Sequence, residues 1–140
     1  MALPNKLHLE IVTPDRLLVS ADVDEIVVPG ADGYLGILPG HAALLASLQA
    51  GELWYRTGTD KHYMAVLFGY VEVRPDGVTI LANGAEAAEE IDVSRAEAAR
   101  KLAEEQLSSA TADMDIERAR IALLRSLARL RVAERRRARH

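Results

Sequence analysis

The stretch YVEVRPDGVTILANGAEAAEEIDVSRAEAARK, residues 70–101, contains the change of pattern on which the fold depends. Its first part alternates apolar and polar residues with a period of two, which is typical of β-strands, and RPDG at residues 74–77 predicts a hairpin turn. Near Glu86 the pattern changes, and from Asp92 onward glycine and proline are absent while alanine, leucine, glutamate and arginine dominate. The stretch therefore predicts a β-domain over residues 1–88 followed by a helical domain.

The residues before this change predict further short strands bounded by turn residues. In KLHLEIV, residues 6–12, the apolar side chains of Leu7, Leu9 and Ile11 fall on one face. The segment ELWYRTGTDKHYMAVLF, residues 52–68, predicts a hairpin around TGTD. Many short strands at such spacing indicate an antiparallel sandwich or barrel, and we expect the sandwich.

The residues after the change predict two helices joined by a short connector, and thus an antiparallel hairpin over residues 89–140. Asp92 is expected to cap the first helix, in competition with a capping box of Ser94 and Glu97, and the helix should run to about Ser109. The expected buried stripes are Ala96, Ala99, Ala103, Leu107 and Ala110 in the first helix and Ile116, Ala119, Leu123, Leu127 and Leu130 in the second.

The alanine stripe sets the expected strength of this hairpin. Alanine buries little apolar area, so the helices should be held by only about a few kcal/mol. We therefore expect a hairpin that can open or detach from the β-domain, and a permanently docked hairpin is the alternative. The fold class is an all-β sandwich followed by a helical hairpin, α+β overall.

Composition and charge exclude several classes of function. The 140 residues contain no cysteine, which excludes disulfides, thiolate catalysis and cysteine-bound metals. No signal peptide or membrane-spanning run is recognisable, so a soluble chain is expected. The charge is uneven, because residues 1–90 hold 5 Lys/Arg against 13 Asp/Glu, whereas residues 116–140 hold nine arginines against two glutamates. Such a division suggests two parts with different partners.

Few residues point to chemistry by themselves. His41, in LGILPGH, has no neighbouring Asp or Ser pattern, so no catalytic residue is expected, although a small sandwich-fold hydrolase stays an alternative. The histidines lack metal-ligand spacing, so no metal site is expected, and neither GxxxxGK[ST] nor GxGxxG occurs. The arginines of RSLARLRVAERRRARH, residues 125–140, favour an acidic protein segment or a nucleotide phosphate, with nucleic acid as the alternative partner.

Three stretches together resemble the epsilon subunit of bacterial F-type ATP synthases: LHLEIVTPDRLLVSADVDEIVVPGADGYLGILPGHAALL, residues 7–45, GYVEVRPDGVTILANGAEAAEEIDVSRAEAARK, residues 69–101, and LRSLARLRVAE, residues 124–134. The resemblance implies a non-catalytic central-stalk subunit, whose sandwich contacts the gamma subunit and the c-ring and couples proton-driven rotation to ATP synthesis. It implies that the hairpin moves between a compact form, docked on the sandwich, and an extended form that enters the alpha/beta hexamer and inhibits ATP hydrolysis. It places the protein peripherally on the cytoplasmic face of the bacterial inner membrane, bound through the complex.

The resemblance also implies site residues. His41 falls on the family's c-ring contact histidine, and Tyr34 stands where the family has an acidic contact residue. Arg118, Arg125 and Arg129 would contact acidic segments of the beta subunit. The residues expected for ATP, the possible regulatory ligand, are Glu86, Ile91, Asp92, Arg95, Ala96, Arg125 and Arg129.

One departure from the resemblance concerns ATP. Leu102 stands where ATP-binding members have an arginine. Losing one charge-assisted phosphate contact costs about 1.5–3 kcal/mol, so weak ATP binding or none is expected. Where ATP does bind, the arginines of the second helix would neutralise its phosphates and hold the hairpin in the compact form.

Overall fold

The computed structural model describes the backbone of residues 4–138 and the side chains of residues 4–136. The expected domain limits at residues 1 and 140 lie outside these ranges. The strands are β1 Leu7–Val12, β2 Leu17–Val23, β3 Glu25–Gly30, β4 Gly33–Ile37, β5 Leu44–Thr57, β6 Asp60–Arg74, β7 Gly77–Ala82 and β8 Ala85–Ala87. A 3₁₀ turn, Ala88–Glu90, leads into the helices α1 Val93–Ser109 and α2 Asp113–Ala138.

The strands form one continuous sheet that folds into a sandwich. Their order is β2-β1-β7-β6-β5-β3-β4, and β8 pairs with β6. All neighbours are antiparallel except β1 and β7, which are parallel. Both predicted hairpins are confirmed, since Thr57 pairs with Asp60 and Arg74 pairs with Gly77. The predicted fold class, a β-sandwich followed by two helices, is also confirmed.

The sandwich core is formed by alternate side chains of the strands. Leu7, Leu9 and Ile11 are completely buried, as their alternation predicts. They pack with a cluster to which the other described strands from β2 to β7 contribute: Val23, Ile26, Val28, Ile37, Leu48, Leu53, Met64, Val66, Val71, Val73, Val78, Ile80 and Ala82. Among the side chains that the structure describes, this cluster contains none from either helix.

The pairing of the long strands β5 and β6 is interrupted at one residue pair, although the register is the same on both sides. Their pairing passes from Leu48↔Gly69 to Ala50↔Leu67, and Phe68 has a φ of 67°. At Gly69, with a φ of 138°, a Cβ would lie 2.2 Å from the carbonyl oxygen of Leu81, so only glycine fits. The Phe68 ring lies 5.8 Å from the guanidinium carbon of Arg125 on α2.

The two helices pack against each other along small residues. The side chain of Asp92 accepts a hydrogen bond from the backbone N–H of Arg95 at 3.1 Å, which confirms the predicted cap. The helix ends at Ser109, also as predicted. The side chains buried along the seam are Ala96, Ala103, Ala119, Ser126 and Ala133. The predicted stripe of α1 is thus confirmed in part: Ala96 and Ala103 are buried, whereas Ala99, Leu107 and Ala110 are only half-buried.

The predicted stripe of α2 is partly wrong. Ile116 and Leu127 remain 37% and 45% exposed, while Val132 is completely buried. The helix packs on α1 with one face and on β5, β6 and the 3₁₀ turn with another. Arginines occupy much of this second face, so the apolar pattern alone placed the buried surface too far round the helix.

A second apolar cluster lies between the hairpin and the sandwich. It contains Ala65, Ala88, Ile91, Val132 and Ala133, with Tyr63 and Val93 at its edge. Most of these side chains are small, and the cluster is separate from the sandwich core. The hairpin is therefore docked in the compact form through a small core of its own.

Candidate functional site

A cavity of about 500 Å³ lies where the strands pass into α1. The 3₁₀ turn and β8 supply one wall, the first turns of α1 supply another, and α2 closes the third. Its lining residues are Glu86, Glu90, Asp92, Arg95, Ala96, Ala99 and Arg129.

The predicted ATP residues divide into those that line this cavity and those that do not. Glu86, Asp92, Arg95, Ala96 and Arg129 line it. Two predicted residues do not line it. Ile91 is buried in the second apolar cluster, and Arg125 lies over the Phe68 ring.

Several charged groups of this cavity already have partners within the protein. The Nε atom of Arg129 donates to Glu86 at 2.7 Å, and Arg16 donates to Glu90 at 2.9 Å. The carboxylate of Asp92 caps α1. Three carboxylates against two guanidinium groups give the lining a formal charge of −1. A nucleotide triphosphate would therefore have to displace Glu86 from Arg129, in a cavity with no excess of positive charge.

Leu102 contributes nothing to this cavity. It lies on α1 with 55% of its surface exposed and is not among the lining residues. An uncharged side chain at this position leaves the cavity with only the two guanidinium groups of Arg95 and Arg129.

The two residues expected to contact the c-ring lie at the start of β4 and in the loop between β4 and β5. The Tyr34 side chain is 54% exposed, and its hydroxyl oxygen accepts a hydrogen bond from the backbone N–H of Glu52 at 3.4 Å. His41 is half-buried, with its Nδ1 atom 2.7 Å from the carbonyl oxygen of Ala42. Leu38 and Leu45 add exposed apolar surface to the same region.

The surroundings of His41 also bear on the hydrolase alternative. A general base needs a partner that orients its ring and a nucleophile within reach. Among residues 4–136 no carboxylate or hydroxyl side chain hydrogen-bonds to His41, whose ring contacts a backbone carbonyl instead. The arrangement is that of a tight turn, in which the Gly40 φ of 86° and the hydrogen bond from the His41 N–H to the Leu38 carbonyl fix the chain.

The three arginines expected to contact the beta subunit differ in their surroundings. Arg118 is exposed near the end of the hairpin, where it lines a second cavity of about 350 Å³. Arg125 and Arg129 face the sandwich, over Phe68 and beside Glu86. In the compact form, therefore, two of the three are turned toward the protein's own sandwich. The same orientation disfavours a nucleic-acid surface on this face.

One charged pair was not predicted from the sequence. Arg135 on α2 donates to both oxygens of Glu52 on β5, at 2.8 and 2.9 Å, and its guanidinium lies 4.8 Å from the ring centre of Tyr63. The hydrogen bond to Glu52 raises the pKa of Arg135 above its usual value. Next to it, Arg136 donates to the backbone carbonyls of the linker before α1. A glutamate in a strand and an arginine 83 residues later give no local signal that they meet.

The sandwich and the helices each match a known family domain. Residues 6–88 match the ATP synthase, Delta/Epsilon chain, beta-sandwich domain, and residues 89–134 match the long alpha-helix domain of the same chain. The chain belongs to the ATP synthase delta/epsilon family. The matched ranges cover almost every element of the structure, including all lining residues of the first cavity.

Bacterial members of the family are similar over nearly their full length. The ATP synthase epsilon chain of Syntrophobacter fumaroxidans is 50% identical over 129 residues, which is 92% of this chain and 96% of the relative. That of Dehalococcoides mccartyi is 46% identical over 133 residues, which is 94% of this chain and 95% of the relative.

Solved structures show the same fold. A chain of the mitochondrial ATP synthase of Euglena gracilis, in an assembly of OSCP, F1 and c-ring, matches with a TM-score of 0.82, 23% identity and coverage of 100% of this chain and 85% of that one. A chain of the central stalk and c-ring of Tetrahymena thermophila matches with a TM-score of 0.63, 15% identity and coverage of 94% and 96%. At this identity the similarity shows the shared fold.

Two properties concern the described residues as a whole. Within the described chain, neither helix combines the length and the hydrophobicity needed to cross a bilayer. Among the same residues, no group of three or more His, Asp or Glu side chains is arranged to hold a metal ion.

Proposed function

We propose that this chain is the non-catalytic epsilon subunit of a bacterial F-type ATP synthase, which couples proton-driven rotation to ATP synthesis and inhibits ATP hydrolysis through its helical hairpin. The observation that carries the proposal is the division into two cores. The hairpin docks through the small cluster around Val132 and through paired arginines, so it can leave the sandwich without opening the sandwich core. Two packings that differ by a few kcal/mol are what such a switch needs.

Exposed apolar surface on the sandwich supports the expected stalk contacts. Tyr70, Leu81, Val12 and Leu17 follow one another across β6, β7, β1 and β2 in register, and Tyr70, Leu81 and Leu17 are each more than half exposed. We assign this row to the gamma subunit, because a continuous exposed apolar row is typical of a permanent interface. The corner around Tyr34 and His41 is assigned to the c-ring, with the membrane reached only through the complex, at its cytoplasmic face.

The arginines of α2 support the expected contact with the alpha/beta hexamer. When the hairpin extends, Arg125 and Arg129 leave Phe68 and Glu86 and become available, together with Arg118, to acidic segments of the beta subunit. For Arg129, extension then exchanges an acidic partner on its own sandwich for one on another subunit, so part of the cost of breaking the Glu86 pair is recovered.

For ATP we propose weak binding or none in the cavity at the start of α1. The lining carries a formal charge of −1, Arg129 is held by Glu86, and Leu102 supplies no cation. Any regulatory nucleotide would have to break the Arg129–Glu86 pair before it gained a phosphate contact.

Truncation of the helices tests the proposed function. The chain would be ended after Glu90, which keeps every strand, and incorporated into the ATP synthase complex in parallel with the full chain. We expect ATP hydrolysis to rise while assembly and proton-driven ATP synthesis survive. Unchanged hydrolysis in a fully assembled complex would contradict the inhibitory role, and failed assembly would instead show that the helices are needed to build the stalk.

A further inference from the structure

We propose that Glu52 and Arg135 form a latch that holds the hairpin in the compact form without any nucleotide. The proposal rests on the proposed function, because it names the contact that sets how much of the subunit is compact. The name latch is used below for the Glu52–Arg135 ion pair alone.

On the sandwich, Glu52 belongs to a row of three side chains that runs across neighbouring strands. Ala65 of β6 pairs with Glu52 of β5 on one side and with Glu86 of β8 on the other. Paired residues in neighbouring strands point to the same face of a sheet, whereas the adjacent Leu53 points into the sandwich core. The face of the sheet that contacts α2 therefore carries two carboxylates, with one alanine between them.

The helix presents a matching row. Arg129, Val132 and Arg135 are spaced by three residues, so each is the neighbour of the next along α2, and all three contact the sandwich side. Arg129 binds Glu86, Val132 packs in the cluster that contains Ala65, and Arg135 binds Glu52.

The two rows also agree in length. Six residues of helix rise about 9 Å, and two strand spacings measure about 9.5 Å. Because a shift of α2 by one turn would break both ion pairs at once, the row specifies a single docked position.

Glu52 differs from Glu86 in its burial. Glu52 is only 4% exposed, although it lies on the outer face of the sandwich where the helix is its cover. Both of its oxygens are bound by Arg135, so the buried charge is satisfied. Undocking returns both ions to water, and neither of them remains buried in an apolar interior without a partner. The contact is therefore strong when it is formed and can still be opened reversibly.

The latch is also separate from the nucleotide cavity. Arg129 and Glu86 line that cavity, but Glu52 and Arg135 do not. A nucleotide can compete for the first pair and leaves the second untouched. The compact form therefore keeps a stabilising contact that does not depend on ATP.

Energy transfer between two dyes on the full chain tests the latch. The chain has no cysteine, so Thr59→Cys in the β5–β6 turn and Thr111→Cys in the helix connector give two exposed labelling positions. On this background Glu52→Gln removes the charge and keeps the shape. We expect the ratio of compact to extended molecules to fall about ten- to hundredfold in buffer without nucleotide.

A matched control separates the latch from a general loss of charge. Glu117→Gln removes a glutamate from an ion pair with Arg120 inside α2, so it should leave the ratio unchanged. Arg135→Gln removes the positive partner of the same ion pair. The double variant should be no more open than the more open single variant, because each change removes the same contact. The unfolding midpoint of the sandwich, measured on each variant, shows whether the chain still folds.

The outcomes distinguish the latch from the proposed function. An unchanged ratio in folded Glu52→Gln, or an equal fall in Glu117→Gln, would overturn the latch. The same variants would then be assembled into the ATP synthase complex for hydrolysis assays. If Glu52→Gln opens the isolated chain while hydrolysis stays unchanged, the latch stands and the inhibitory role is the part that is wrong.

Discussion

Replacing Val132 with alanine tests whether the hairpin has a docking core of its own. Val132 is completely buried, in the cluster with Ala65, Ala88 and Ile91. The substitution removes two methyl groups. A buried methylene contributes about 0.8 kcal/mol, and removing one from a core costs about 0.5–1.5 kcal/mol. Undocking should therefore become easier by about 1–3 kcal/mol.

Native-state hydrogen exchange is the assay, because it reports opening separately for each segment. Amides in the middle of α2 should exchange about 5- to 150-fold faster in Val132→Ala than in the unaltered chain. Amides of β6 and β7 should exchange at the original rate, since the sandwich core contains no helix side chain. Alanine is a better helix former than valine, so any acceleration comes from docking and not from helix propensity.

The control is Leu127→Ala on the same helix. Leu127 is 45% exposed, so this change removes more carbon atoms but should accelerate exchange far less. Equal acceleration in β6, β7 and α2 after Val132→Ala would show that hairpin and sandwich open as one cooperative unit. The two-core description, and the switch that depends on it, would then be wrong.

Two further predictions concern single side chains. Leu102→Arg, at an exposed position of α1, restores the arginine of the ATP-binding members and should strengthen ATP binding about ten- to hundredfold. Calorimetry that shows no gain in affinity would refute the assignment of this position to the nucleotide phosphates. His8 should titrate above its usual pKa of about 6.5, chiefly because its ring hydrogen-bonds to Asp22 at 3.0 Å. Because folding raises this pKa, protonated His8 stabilises the fold below about pH 6.5, and the contribution is lost as pH rises through the folded-state pKa. An NMR titration in which Asp22→Asn leaves the His8 midpoint unchanged would contradict this cause.

The parts of the fold that were predictable are those encoded by neighbours in the sequence. The period-two pattern around Leu9, the two hairpin turns and the Asp92 cap each depend on a few adjacent residues, and each is confirmed. Asp92, Arg95 and Ala96, which line the cavity, are also neighbours in the sequence, because the motif at residues 91–96 lies at the start of one helix.

The parts that were missed depend on residues distant in the chain. Phe68 has a positive φ, which no propensity predicts for an aromatic residue. The Glu52–Arg135 pair requires knowing where α2 lies on the sheet, and so does the burial of Val132 in place of Leu127. Amphipathic analysis treats arginine as a solvent-facing residue, so it fails for a helix that docks through arginine.

Docking through arginine has a physical consequence for a switch. An apolar interface strong enough to hold a helix would leave that apolar surface in water after release, and the exposed face would favour aggregation. In this hairpin the sandwich-facing side of α2 carries Arg125, Arg129 and Arg135 around one buried valine. On release those guanidinium groups are well solvated and keep their charge. Ion pairs and the small apolar cluster around Val132 together hold the hairpin, so the compact form can be specific in geometry while its release exposes little apolar surface.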